Sequence, residues 1–267
     1  MRILYADGIG SARFSPNTGN SILEVTATRL SAALGAPMER VEWPASMAGV
    51  GGRMSWEEAS RIGVEYIDDA LARSAEPVVL LGYSGGCKVV HDWMDQAGLR
   101  ISRVAAVGFV SDPFRPKGKG QYGTPDVPGF GICGPRTGPI PDRTFWAAWP
   151  GDVITDCPGD SPLRTLADLS DRIPGGFLDD FGGHLSLNDW QLANHIELWR
   201  RDPLAYLLNL PRRMREARWG VHGYLTGEHT TVYVEEWGPP TDRRSYAVRL
   251  ADTINYGLGV RGYGRQA

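Results

Sequence analysis

Cysteine is scarce in this sequence, with Cys87, Cys133 and Cys157 the only three in 267 residues. No two stand at C-x-x-C spacing, and the five histidines do not pair with cysteines or carboxylates at ligand spacing. A metal centre therefore has no basis in the sequence, and neither metal nor cofactor is expected. Reduced packing thiols are expected, with a Cys133–Cys157 disulfide as the alternative in oxidising surroundings. Long apolar runs are also lacking. None approaches the roughly 20 residues needed to span a bilayer, so stable membrane insertion is not expected. The N-terminal MRILYADGIG lacks the apolar stretch and small-residue cleavage site of a secretory signal, and the chain is expected to fold in the cytoplasm. Excess charge is small as well. A net charge of −3 argues against binding that depends on neutralising phosphates, and no nucleic-acid partner is expected. Nothing in the sequence speaks to oligomeric state.

What is present is the composition of a folded domain, 42% hydrophobic and 22% charged. Arg2–Ala6 reads as a strand running into the turn-rich Asp7-Gly8-Ile9-Gly10-Ser11. Ser21 with Glu24, and Ser55 with Glu58, form capping-box patterns opening two helices. Leu23, Ala27, Leu30 and Leu34 share a face of the first, which Gly35 ends. Ala59, Ile62, Tyr66 and Ala70 share a face of the second. Val78–Leu81, Val104–Val110 and Phe145–Trp149 are continuous apolar runs, as in strands buried on both faces. The segment from Cys87 to Gln96 and a last one at about 245–255 read as helices. Strands separated by helices require crossover connections, so the pattern predicts a three-layer α/β fold with a mainly parallel sheet. Residues 115–143, rich in Gly and Pro, read as a long surface loop. A helical cap or linker insertion is expected at about 170–218 within a single domain of 1–267.

Gly82-Tyr83-Ser84-Gly85-Gly86 matches G-x-S-x-G between a strand and a helix. A serine at such a bend presents its hydroxyl at the C-terminal edge of the sheet, and the following helix N-terminus favours developing negative charge. Ser84 is thus the candidate nucleophile of a serine esterase. The backbone amide of Gly85 is one candidate oxyanion donor, and that of Gly10 or Ser11, in the loop after the first strand, the second. The alternative for that loop is an ordinary tight turn.

In this fold the triad runs Ser, then Asp or Glu, then His along the chain. Asp152, just past the run Phe145–Trp149, is the first candidate acid. Asp112 is a rival one strand earlier, and Asp156 and Asp160 lie deeper in the loop. The base must follow. His184 and His195 fall in the expected insertion, where packing is the simpler role. His229 and His222 remain, and His229 is favoured because a turn precedes it and an extended run is expected to follow. An imidazole there would take the serine proton while the aspartate holds its tautomer. Phe177, Phe181, Trp190 and Trp199 could line an apolar groove or simply pack the insertion.

The Gly-Tyr-Ser-Gly-Gly pentapeptide resembles the G-Y-S-Q-G elbow of cutinase-like hydrolases, with Gly85 in place of glutamine. Residues 107–118, ending Asp112-Pro113-Phe114-Arg115-Pro116-Lys117-Gly118, are similar to the G-x-P-x-R-x-K-G segment of mycobacteriophage lysin B proteins. Pro150-Gly151-Asp152-Val153-Ile154 resembles their acid loop, and Gly227-Glu228-His229-Thr230 with Tyr233 their G-x-H-T…Y ending. The likeness runs from about residue 3 to 255. It implies a cutinase-like α/β-hydrolase of the phage lysin B family, cleaving the ester between mycolic acid and arabinogalactan. Ser84, Asp152 and His229 would be its triad, and Tyr83, Phe177, Phe181 and Trp190 its substrate contacts. It implies an enzyme made in the host cytoplasm that acts on cell-wall lipid at the envelope during lysis. A cutinase-like lipase with another substrate and a non-catalytic envelope-binding module are the alternatives.

Overall fold

The computed structural model describes residues 1–11, 21–47, 49–164, 190–238 and 242–259, with the side chains of 190–194 left out. Five parallel strands, β1 (Arg2–Ala6), β2 (Met38–Arg40), β3 (Val78–Tyr83), β4 (Val104–Val110) and β5 (Thr144–Ala147), form one sheet in the order β2-β1-β3-β4-β5. Around them run α1 (Ile22–Leu34), α2 (Trp56–Ala72), α3 (Gly86–Gln96) and a C-terminal helix, Tyr246–Gly259. The chain first crosses leftward from β1 to β2 and then back to β3. Right-handed crossovers in opposite directions put their helices on opposite faces. α1 and the C-terminal helix accordingly cover one face, α2 and α3 the other. This is the three-layer α/β-hydrolase architecture.

The apolar runs alternate between two cores. Leu4, Val78, Leu80, Val107 and Phe109 face α2 and α3; Ile3, Val79, Leu81, Ala106 and Val110 face α1 and the C-terminal helix. Both destinations are dry, so every position must be apolar, and each fully buried aliphatic side chain contributes roughly 1.5–3 kcal/mol. Both expected helix starts are found. Ser55 and Glu58 form the full reciprocal capping box. Ser21 caps Glu24 N, but its own hydroxyl proton goes to Asp7 rather than into a reciprocal pair. On α2, Ile62 and Tyr66 lie at the flank, and Gly63, Val64 and Ile67 take the inner face with Ala59 and Ala70. Strand β2, only three residues long, is too short for any periodic signal.

Residues 115–143 contain little regular structure, yet they are not a loose surface loop. Arg115 is 0% exposed, and its guanidinium donates to Thr155 O (2.9 Å), Lys119 O (2.5 Å) and Gly129 O (2.8 Å). It also lies 3.5 Å from Asp156 Oδ1. Arg164, equally buried, donates to Pro158 O, Gly131 O and Phe130 O. Five planar donors per guanidinium thus satisfy carbonyls that a coil cannot satisfy for itself, and they tie the loop to residues 152–157. Replacing Arg115 by Met would leave several of these carbonyls without donors. It is expected to cost about 3 kcal/mol or more, read as a lower urea midpoint.

All three thiols are free. The expected insertion is described only from residue 190 onward, where it forms α4 (Trp190–Arg201), α5 (Pro203–Leu208) and α6 (Leu210–Thr226). The C-terminal helix is then α7. Among the described residues no helix is long and apolar enough to cross a membrane.

Candidate active site

The C-terminal ends of β1, β3 and β4 meet at one edge of the sheet, where the strand order reverses beside β1, the usual position of a ligand crevice in open α/β sheets. Ser84 follows β3 directly with φ +50, in the left-handed region. The flanking glycines are required by close approach. A Cβ at Gly82 would stand 2.8 Å from Cys87 Cα, and one at Gly86 2.1 Å from Ala6 O. At Gly85 a Cβ would meet Ile9 Cγ1 at 2.5 Å. The Ile9 side chain fills the space a side chain at position 85 would enter, which accommodates glycine where the resembling elbow carries glutamine.

Ser84 Oγ lies 2.8 Å from His229 Nε2, and His229 Nδ1 lies 3.1 Å from Asp152 Oδ1. His229 follows Gly227, whose positive φ ends α6 and turns the chain back toward the sheet. Its ring is sandwiched against Tyr83 and Tyr224, at centroid distances of 5.4 and 4.8 Å, and Tyr83 Oη donates to its carbonyl. Burial, with the Asp152 charge second, raises both phenols above their ordinary value, the Tyr83 phenol far above it, so both rings stay neutral beside the imidazole. Asp152 is 0% exposed and accepts from Ile154 N, Ser111 Oγ and Tyr233 Oη as well. A buried carboxylate is tolerable only when its lone pairs are occupied in this way. The extended run expected after His229 is instead a 3-10 turn, Thr231–Tyr233, which carries the Tyr233 phenol inward to the carboxylate.

The rival residues go elsewhere. His222 is exposed on α6 beside Trp219, and His195 is buried with Nε2 3.1 Å from Ser161 O. Asp112 pairs with His91 Nε2 at 3.1 Å and accepts from Trp146 Nε1 and Phe114 N, forming a second buried His–Asp pair separate from the Ser84–His229 contact. Asp156 accepts from Gly129 N, and Asp160 pairs with Arg212. His184, Phe177 and Phe181 lie outside the described residues, as does the side chain of Trp190. Trp199 is 44% exposed and packs edge-on against Tyr206, away from the groove.

The chain is similar to cutinases. A cutinase-like protein from Cryptococcus sp. superposes with a TM-score of 0.44 at 18% identity, over 58% of this chain and 78% of that one. Trichoderma reesei cutinase in complex with a phosphonate inhibitor gives 0.36 at 20%, over 58% and 63%. An extracellular α/β-hydrolase from a Paenibacillus species gives 0.28 at 18%, over 45% and 44%. At these values the likeness concerns the path of the chain alone. No protein-family model matches, and no curated protein matches in sequence.

The oxyanion side differs from expectation at the second donor. Gly10 N donates to Ala45 O at 2.8 Å, in the segment after β2, and Ser11 N to Gly8 O at 3.2 Å within the turn, so both amides are already spent. The amides of Gly85 and Ile9, by contrast, have no partner among the described residues. Both residues line the same cavity as Ser84. Ile9 is marked in the sequence only by its place in the loop after β1, because an aliphatic side chain carries no sign of what its backbone amide does.

That cavity has a volume of about 640 Å³, within the usual range for small-molecule sites. Its lining is mostly apolar, Ile132, Val153, Ile154, Leu163, Val221 and Val234 among it, and Asp7, Ser21, Glu24 and Arg40 supply polar groups. Burial raises the Asp7 carboxyl, and Arg40 Nε stands 3.5 Å from it. Of the expected groove residues, Tyr83 lines this cavity.

Proposed function

We propose that this protein is a serine ester hydrolase acting on esters between a long acyl chain and a hydroxylated alcohol. The observation that carries the reading is the 2.8 Å contact of Ser84 Oγ with His229 Nε2 at the wall of an open cavity. His229 Nε2 takes the hydroxyl proton as Ser84 Oγ bonds to the acyl carbon. Nδ1–H stays on His229 and donates to the Asp152 carboxylate, which stabilises the imidazolium. The amides of Gly85 and Ile9 receive the charge on the carbonyl oxygen, each such donor being worth roughly 3 kcal/mol in the transition state. Collapse expels the alcohol with the proton held by His229. Water, activated by the same imidazole, then frees the acid and restores Ser84.

The mixed lining of the cavity supports an apolar acyl group against Val153, Ile154 and Val221 and a polyol against Asp7 and Arg40. Together with the motifs that resemble lysin B proteins, this favours the mycolic acid–arabinogalactan ester as the substrate. The enzyme would be made in a phage-infected actinobacterial cytoplasm and would act on the envelope after release. The test compares release of mycolic acid from purified arabinogalactan with hydrolysis of short p-nitrophenyl esters. Mycolate release that Ser84→Ala abolishes is expected. Turnover of the short esters alone would leave a lipase-like enzyme with another substrate. Cell-wall binding that survives Ser84→Ala, with no wild-type turnover, would identify a non-catalytic binding module.

A further inference from the structure

Two serines flank the His229 ring. Tyr83 and Val110 are partners in the parallel register of β3 and β4, so Ser84 and Ser111 are neighbours at the sheet edge. Their backbones make the same bend, with φ of +50 and +49. Each amide donates across to the next strand, Ser84 N to Val110 O and Ser111 N to Ala147 O, both at 3.0 Å. A left-handed backbone costs a side-chain-bearing residue roughly 1–2 kcal/mol and persists where the surroundings demand it. Ser84 has the reason of reaching a substrate. Ser111 does not, because it is 0% exposed. Its Oγ stands 2.5 Å from Asp152 Oδ2 and 3.0 Å from His229 Nδ1. The Tyr233 phenol reaches the same carboxylate oxygen at 2.7 Å, while accepting from Trp149 N.

We propose that Ser111 and Tyr233 are a positioning pair that sets how tightly Asp152 holds the His229 imidazole. The inference rests on the hydrolase reading with Ser84 as nucleophile. The Ser111 hydroxyl donates to Asp152 Oδ2, and its oxygen accepts a share of the His229 Nδ1–H. That shared proton fixes the tautomer whose Nε2 lone pair faces Ser84. Two hydroxyl donors on Oδ2 also spread the carboxylate charge, so its pull on the imidazolium is moderated. Burial, then the charge of Asp152, pushes the Tyr233 phenol well above its ordinary value, so it remains a donor. The other groups facing this pair are the neutral Tyr83 and Tyr224 rings, the Arg115–Asp156 ion pair, and Glu228 packed against Gly151. The hydrogen bonds made at Nδ1 are those to Asp152 and Ser111.

Ser111→Gly removes the hydroxyl and suits the positive φ, and Tyr233→Phe removes only the phenolic oxygen. For each variant, kcat and KM for p-nitrophenyl butyrate would be followed against pH, alongside fluorophosphonate labelling with the modified residue located by mass spectrometry. The label is expected on Ser84, with KM within about twofold of wild type and kcat lower by about tenfold to a hundredfold. The acid limb of kcat/KM is expected to move to higher pH by about half a unit or more, since a carboxylate with fewer donors holds the imidazolium more strongly. A purely structural role would lower kcat with the acid limb unmoved, and that result in both variants overturns the proposal. So does a label found on Ser111. A Ser84→Ala protein that still hydrolyses esters would instead remove the underlying reading, a failure distinct from an unmoved acid limb.

Discussion

Ser84→Ala is expected to lower kcat for ester hydrolysis on the order of 10⁵-fold or more while leaving the fold intact. The hydroxyl that it removes is the group placed 2.8 Å from His229 Nε2, and no other described serine reaches that nitrogen. Ser111, on the opposite nitrogen, is fully buried and could not take over. Alanine keeps the Cβ, so the close packing at Gly82 and Gly86 that shapes the bend is undisturbed. The measurement is initial rates with an activated ester, paired with the thermal unfolding midpoint. Turnover within tenfold of wild type in a folded Ser84→Ala protein would refute the assignment.

The second large effect separates two histidines seven positions apart in the chain. His229→Ala should cost nearly as much as the serine substitution, because nucleophile and base act as a unit and their losses do not add. His222→Ala should stay within about threefold of wild type, since that ring is exposed on α6 and meets Trp219 rather than the dyad. Equal losses in the two variants, or a dead His222→Ala, would reverse the choice.

Much of the site was legible along the chain because its parts are local. The elbow is a five-residue pattern, and its glycines answer contacts with Ala6 and Cys87 that any strand-to-helix bend of this kind creates. The acid lies just past a strand because the parallel sheet sends every strand end to one edge. The pairing of Asp152 with His229 was legible only as an order of residues. Asp112 satisfied the same ordering rule, and what removes it is His91, twenty-one positions earlier, which closes on it inside the core. That preference depends on which helix packs over which strand, and no local pattern carries it.

The sequence alone determined the layering of the fold, the crossover connections and the bend that exposes Ser84, because apolar period, caps and glycines act over a few residues. Only the tertiary structure decided which imidazole meets the serine, that the Gly10 amide is spent on Ala45 and the Ser11 amide on Gly8, and that Arg115 organises the glycine-rich loop. It alone brought Ser111 behind the dyad. The Ser84–His229 and Ser111–Asp152 contacts join residues 145 and 41 positions apart, and the physical reason is competition. Each buried polar group takes whichever partner the packed chain brings within about 3 Å, and that partner is defined only once the layers have closed.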